Sequence, residues 1–213
     1  MKVYLVGGAV RDKFLNIEPK DNDYLVIGET VEGMVSNGFV QVAKNIPVFR
    51  NPCTDEEYAL ARIERKVGKT RYDFEFYVSP DITVEQDLER RDFTMNAIVY
   101  DSYNDDYIDP YNGIQDINDR VIRHINPDKF VEDPLRILRA ARFLAKYHDM
   151  GFKISECTYD LMSEMVRSGS LKELRKNPIL REIDPSWDAV SLEVFWSCLD
   201  KIGASDIIKN KLK

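Results

Sequence analysis

The stretch KVYLVGGAVRDKFLNIEPKDNDYLVIG, Lys2 to Gly28, carries the pattern on which the fold turns. It opens with a β-branched apolar run, Lys2–Val6, and closes with another, Tyr24–Ile27, both strand-like. Between them Gly7-Gly8 make a turn that leads into a short helix. Glycines there let a backbone approach an anion, and a helix start offers N–H groups to it. Arg11, on the first turn, has the bidentate guanidinium that clamps phosphate oxygens. Many strand–turn–helix units use such glycines for the turn alone, so both readings stand. Just before the second strand, Asp21 and Asp23 lie one residue apart. Positions i and i+2 of a strand share a face. Two carboxylates on one face repel unless a cation lies between them. Beside a phosphate site they are the hard-oxygen donors Mg2+ prefers; in isolation they read as a solvated junction.

The 213 residues suffice for one large domain or two small ones with a real core. Hydrophobic residues make up 44% and charged residues 31%, which excludes a disordered chain. No apolar run approaches a membrane span. Gly7-Gly8 and Arg11-Asp12 break the N-terminal apolar stretch, which argues against a signal peptide. Cys53, Cys157 and Cys198 form an odd set without metal-ligand spacing and read as reduced thiols of a cytoplasmic protein. The net charge of -7 argues against nucleic acid until its distribution is considered. ARIERKVGKTRY carries Arg62, Arg65, Lys66, Lys69 and Arg71 against one acid, and RILRAARFLAK has four cations and none. Acids crowd instead in DSYNDDYID.

The first part reads as α/β with a small mixed sheet, with further strand patterns in EEYALARIE and RYDFEFYV around a polar connector, RKVGKT. Thr83 followed by Gln86 predicts a capped helix in TVEQDLERRDFTMNA, running into the strand-like AIVYD. DPYNGIQDINDRVIRHI reads as a turn, a short amphipathic segment and a last strand. After about Ile125 the pattern becomes helical: DPLRILRAARFLAKY, ISECTYDLMSEMVRSG with Ser155 as cap and Gly169 as stop, and LEVFWSCLDKIGA closed by Gly203. Residues 1–125 are therefore expected to form an α/β head and 126–213 an all-α neck.

Six motifs occur in order: LVGGAVRD, KDNDY, EEYALARIERK, RRDFTMNAI, DPYNGIQDI and EDPLRILRAARF. Over roughly Met1 to Gly169 the chain thereby resembles the class II tRNA nucleotidyltransferases (CCA-adding enzymes) and bacterial poly(A) polymerases of the polymerase β-like superfamily. The resemblance implies template-independent addition of CCA to tRNA 3′ ends from CTP and ATP with Mg2+. Poly(A) synthesis, C-only or A-only addition, and a non-catalytic RNA- or nucleotide-binding remnant are the alternatives. It implies Asp21 and Asp23 as metal-binding carboxylates and Glu57 as a third acid of the site. Gly7, Gly8, Arg11 and Arg91 would meet the nucleotide. Arg90 and Arg91, being adjacent, would point different ways on a helix, with Asp92 and Asn96 one turn apart to orient ribose and arginine.

Asp133, Arg136 and Arg139 are spaced by three, on one helical face behind Pro134. A carboxylate acceptor beside a guanidinium donor suits cytosine and adenine, which pair an exocyclic amine with a ring-nitrogen acceptor. It mismatches uracil and guanine, and unpaired polar groups in a buried site enforce that choice. The resemblance assigns base selection to Asp133 and Arg136 and a nucleotide contact to Arg139; an ordinary amphipathic helix start is the competing reading. It also places a mobile loop at RKVGKT, where Arg65, Lys66, Lys69 and Arg71 would meet RNA phosphate. Asp109 and Gly113–Asp116 would support motion between head and neck, or simply form a tight turn. In LRKNPILREI, Pro178 stands where the family has an arginine, while Glu182 remains. With body and tail helices expected to be absent, RNA would be held by local patches, the terminal KNKLK or a second subunit in a homodimer.

Overall fold

The computed structural model describes residues 1–68, 70, 73–184 and 191–213, and they fall into two compact units, Met1–Ile117 and Asn118–Lys213. The first unit begins with β1 (Lys2–Val6), α1 (Gly8–Phe14), β2 (Asp23–Ile27), α2 (Val31–Ser36), β3 (Val40–Ala43), β4 (Ile46–Arg50) and β5 (Glu57–Leu60). It continues with β6 (Arg62–Lys66), β7 (Phe74–Val78), α3 (Val84–Glu89), β8 (Val99–Asp101), β9 (Asp106–Ile108) and α4 (Gly113–Asn118). Seven strands form one mixed sheet in the order β3-β4-β5-β2-β1-β8-β9. Its parallel pair is β2 with β5; the other neighbours run antiparallel.

Adjacent Leu25 and Val26 are both fully buried, so β2 is covered on both faces and its unbroken apolar run follows from that. Val26, Met34, Phe49 and Leu60 form a core cluster joined by Val3, Val31 and Phe39, with α2 supplying Met34. That helix has only six residues, and Thr30 caps it by accepting from the Gly33 N–H at 3.0 Å. β6 starts one residue after β5 yet leaves the sheet, pairing with β7 as a separate hairpin.

The predicted capping box at α3 is present: Gln86 N donates to Thr83 Oγ1 and Thr83 N to Gln86 Oε1. The helix ends at Glu89, however, so Arg91–Asn96 is not helical as the periodicity suggests; it is a bend followed by a 3-10 turn, Thr94–Asn96. The DPYNGIQD segment caps α4, with both Asp109 oxygens accepting from the N–H groups of Gly113 and Ile114. Thr94 Oγ1 donates to buried Asp116 Oδ2 at 2.7 Å, which ties α4 to the 3-10 turn.

The second unit contains β10 (Val121–Ile122), α5 (Pro127–Val131), α6 (Leu135–Tyr147), β11 (Lys153–Ile154), α7 (Glu156–Arg167), α8 (Lys176–Ile183), α9 (Leu192–Lys201) and α10 (Ser205–Leu212). Its two strands form a short parallel bridge, Val121 beside Lys153, which draws the segment after Ile117 into the helical unit. α6 is its centre: Ile137, Leu138, Ala140 and Ala141 are fully buried, and the helix packs on α8 and α9. Gly169 and Gly203 follow α7 and α9 with φ of 83° and 73°, as stop glycines should. Ser155 stands at the start of α7, but its hydroxyl donates to Thr158 Oγ1 rather than accepting from backbone. No helix among the described residues is long and apolar enough to cross a membrane.

A Cβ on Gly113 would lie 2.2 Å from the carbonyl oxygen of Thr94, a backbone atom that cannot move cheaply. Gly113→Ala is expected to destabilise the protein by about 3 kcal/mol, read as a lower urea midpoint at unchanged m-value.

Candidate active site

Register assembles one end of the central strands. Asp23 pairs with Val6 of β1 on one side and with Glu57 of β5 on the other. Paired residues on neighbouring strands share a face, so the Asp23 and Glu57 carboxylates stand side by side. The opposite face carries Asn22 and Tyr24, both donating to Glu56, and Tyr24 stacks on Tyr58 at 4.6 Å. Asp21 and Asp23 are both exposed, and Asp21 precedes the first strand residue. Glu57 is half-buried and forms an ion pair with Arg50 at 3.2 Å.

Although Asp23 is exposed by area, the protein around it desolvates its carboxyl and raises it above the ordinary aspartate value. The Arg91 charge opposes that rise, while Glu57 and Asp21 add to it. Among the described residues no three His, Cys, Asp or Glu side chains are gathered as a metal ion would need. What the edge does present is two to three hard oxygen donors whose mutual repulsion a divalent cation would relieve, so the donor chemistry fits Mg2+ with its remaining ligands from substrate and water.

Val6 leads directly into Gly7, whose φ of 74° favours glycine. Its N–H donates to the Ile98 carbonyl, which pins the turn to the strand edge. A side chain here would meet a neighbour as well: an added Cβ would be 3.0 Å from Arg91 Nη1. The glycine thus makes room for an arginine of the same chain. Arg91 also donates from Nη1 to the Asn96 carbonyl at 3.4 Å, and its Nη2 lies 3.6 Å from Asp87 Oδ2. Burial lowers its guanidinium below the ordinary value; Asp87 opposes this, Arg90 adds to it, and Asp92 and Asp23 oppose it. An arginine remains a cation under such a shift.

Arg11 is placed differently from a surface clamp. It is 6% exposed, with Nε and Nη2 on Asp12 Oδ1 at 2.8 and 2.7 Å and Nη1 on Asn96 Oδ1 at 2.6 Å. Nη2 also lies 3.5 Å from where a Cβ of Gly8 would be. Asn96 Nδ2 and the Phe93 N–H both donate to Asp92 Oδ1. Asn96 thus meets both arginines, Arg11 through its side-chain oxygen and Arg91 through its backbone carbonyl, and Asp92 fixes the Asn96 amide.

Two groups without a sequence-level assignment organise this region. Asp87 is fully buried and accepts through Oδ1 from Arg90 Nη2 at 2.7 Å, Arg90 Nε at 3.1 Å and the Arg62 N–H at 3.1 Å. Burial by itself would raise the Asp87 carboxyl; Arg90, Arg91 and Arg62 outweigh it and hold it below the usual range. Glu64 accepts from Arg62 and Arg90 on the other side. Arg62 therefore does not belong to a basic RNA-facing patch. Arg65 is exposed and Lys66 half-buried, while Lys69 and Arg71 lie outside the described residues. The signal for Asp87 was present as an acid at i, i+3 and i, i+4 to Arg90 and Arg91.

In the second unit Asp133 lies just before α6 and Arg136 and Arg139 on it; all three are half-buried, and the residues between them are buried. Asp133 Oδ1 accepts from the Leu135 N–H at 3.0 Å, so it caps α6. Arg136 Nη1 donates to the Lys129 carbonyl and its guanidinium lies 6.0 Å from the Phe130 ring. Arg139 lies 3.9 Å from Glu182, and buried Arg142 donates to the same carboxylate at 2.6 Å. Pro178 is buried in the first turn of α8, and the support of α6 comes from Glu182 further along. Cys53 and Cys157 are exposed and Cys198 is buried, all three as thiols.

The mixed sheet with its acidic edge and the arginine-bearing turn after α3 define a nucleotidyltransferase head. Residues 3–123 match the poly A polymerase head domain, and the chain belongs to that family. Solved structures of CCA-adding enzymes resemble it over nearly its whole length. An apo form is 27% identical with a TM-score of 0.77, covering 95% of this chain and 49% of that one. The Thermotoga maritima CCA-adding enzyme complexed with tRNA-CCA is 27% identical, TM-score 0.73, covering 95% and 47%. A tRNA nucleotidyltransferase complexed with a primer tRNA and an incoming ATP analog is 30% identical, TM-score 0.72, covering 100% and 59%. The chain thus spans about half the length of the structures it matches.

Because the folded protein holds the Asp23 proton more tightly than the unfolded chain does, ionisation of Asp23 lowers stability once the pH exceeds the ordinary carboxylate range. Asp23→Asn is expected to raise the thermal midpoint by about 1–2 °C at neutral pH. The difference closes as the pH falls through that range, which melting curves across pH will show.

Proposed function

We propose that this chain is a template-independent nucleotidyltransferase that completes tRNA 3′ ends with C, C and A, using CTP, ATP and Mg2+. The observation that carries the reading is the register of Asp23 beside Glu57 and Val6, next to a Gly7 turn crossed by Arg91. The likeness to CCA-adding enzymes, some solved with tRNA or nucleotide, supports the substrate class.

In this reading Asp21 and Asp23 would hold Mg2+ and Glu57 would reinforce their negative field. One ion would supply Lewis-acid activation of the RNA 3′-hydroxyl, and another would supply charge neutralisation at the triphosphate and departing pyrophosphate. Arg91 offers a guanidinium to the triphosphate, and the Gly7-Gly8 backbone allows close approach. Arg11, Asp92 and Asn96 hold the turn in shape, with Arg11 reaching phosphate only by exchanging its present partners. Asp133 accepts from the exocyclic amine of C or A, Arg136 donates to the ring nitrogen, and Arg139 contacts the nucleotide. For Asp133 this needs its second oxygen or release of the Leu135 N–H. Arg65 and Lys66 contribute to holding RNA phosphate. Addition of A alone is the second reading, favoured by the match to a poly A polymerase head.

The test is incubation with Mg2+, each labelled nucleoside triphosphate alone and together, and tRNAs ending before C, CC and CCA. Ordered incorporation stopping at CCA is the expected result; long A tails would establish the second reading, and nucleotide binding without incorporation would overturn both. Asp21→Ala and Asp23→Ala should each lower transfer by about 10³-fold or more while leaving tRNA affinity within about twofold. Arg136→Ala should narrow the preference for C and A over U and G by about tenfold or more, measured as ratios of kcat/KM.

A further inference from the structure

We propose that Asp87 is a positioning residue for nucleotide binding, setting Arg91 against the Gly7 turn although it stands behind the acidic edge itself; this rests on the nucleotidyl-transfer reading above. The geometry has three parts. First, Asp87 is fully buried on the last turn of α3, and its Oδ1 locks Arg90 and the start of β6. Second, its Oδ2 is buried, meets no hydrogen-bond donor among the described residues, and faces Arg91 Nη2 at 3.6 Å. Third, the other end of the same guanidinium, Nη1, lies against Gly7 and the Asn96 carbonyl.

The charges explain why one carboxylate serves two arginines. Glu64 already accepts from both Arg62 and Arg90, so those two cations are shared between two acids. Arg91 joins the cluster through Asp87 at i, i+4, an attraction strengthened by burial. Helix α3 stops at Glu89, and a single bond from the Arg91 N–H to the Leu88 carbonyl at 3.0 Å ties the next residues back to it. Without the Oδ2 charge the guanidinium loses an attraction that draws it inward, and the Asn96 carbonyl contact at 3.4 Å is left to set its Nη1 end against Gly7. A cation misplaced by about 1 Å is enough to weaken a phosphate contact severely. Asp87 touches neither nucleotide nor ion in this account; it acts through Arg91.

The test compares wild type, Asp87→Asn, Asp87→Glu, Arg91→Ala and the double variant Asp87→Asn/Arg91→Ala, all as full chains. In steady-state assays with CTP and ATP, Asp87→Asn should raise KM about tenfold with kcat within about threefold. Arg91→Ala should do at least as much, and the double variant should be no worse than Arg91→Ala, within about twofold. Asp87→Glu should recover most of the KM. An equal cost of Asp87→Asn with and without Arg91, or a fall in kcat alone, would mean a purely structural role and overturn the proposal. Should Asp87→Asn fail to fold, the cycle is run with Asp87→Glu, whose displaced carboxylate should shift KM about threefold, again only when Arg91 is present. An activity-independent reading comes from the Arg91 Nε–Hε resonance, assigned by its loss in Arg91→Lys. Its hindered guanidinium rotation should be freed in Asp87→Asn, or in Asp87→Glu if that is the variant that folds. If the wild type incorporates no nucleotide, the functional reading fails and the resonance alone decides the placement of Arg91: an unchanged signal overturns it.

Discussion

The pairing of β2 between an antiparallel and a parallel neighbour is the constraint on which the first unit depends. Antiparallel pairing with β1 brings Asp23 beside Val6, at the point where the chain turns through Gly7. Parallel pairing with β5 brings the start of that strand, Glu57, to the same end. A slip of one residue in either ladder would send Asp23 to the face of Tyr24 and put Leu25, which is fully buried, out of register with the core. Burial of Leu25 and Val26 on opposite faces therefore fixes the acidic edge as firmly as any contact made by the carboxylates themselves.

Around that edge the arginines divide their work by depth. Arg90 and Arg62 are turned inward onto Asp87 and Glu64, where removing one partner would leave a buried charge without compensation. Arg91 stands between the buried cluster and the edge. Arg11 is held by Asp12 and Asn96, so the residue that the strand–turn–helix pattern marks as a phosphate clamp acts here to brace the turn. Adjacent arginines in one motif have separate functions because the helix ends between the acid that orders them and the turn that receives them.

The sequence made much of this legible where residue type and period agreed. The strands at Lys2–Val6 and Asp23–Ile27, the Thr83 capping box and the Gly169 and Gly203 stops all follow from local chemistry that tertiary packing did not override. Residues 29–50 hid their structure: α2 is six residues long with Gly33 inside it, and β3 is exposed over most of its length, so neither shows an apolar period. The turn after α3 misled because Arg-Arg-Asp is compatible with helix, while the need to bring Asn96 to Arg11 bends the chain. Among the candidate site residues, Asp21, Asp23 and Gly7 are marked by pattern. Asp87 shows only as an acid at helical spacing to Arg90 and Arg91, and Glu64 not at all, because it joins the buried cluster through a contact 26 residues away.

The inward-turned arginines have a consequence for how this protein would respond to salt. Each phosphate neutralised on a single strand contributes roughly 0.7 to the slope of log affinity against log salt concentration, through the counterions it releases. A count of cations in ARIERKVGKTRY and RILRAARFLAK would foretell a steep dependence. Arg62 and Arg142 are paired with Glu64 and Glu182 in the folded chain and would release fewer counterions on meeting RNA than solvated cations do. If the chain binds RNA as proposed, the ionic-strength dependence of its affinity would therefore be shallower than the cation count of these stretches foretells.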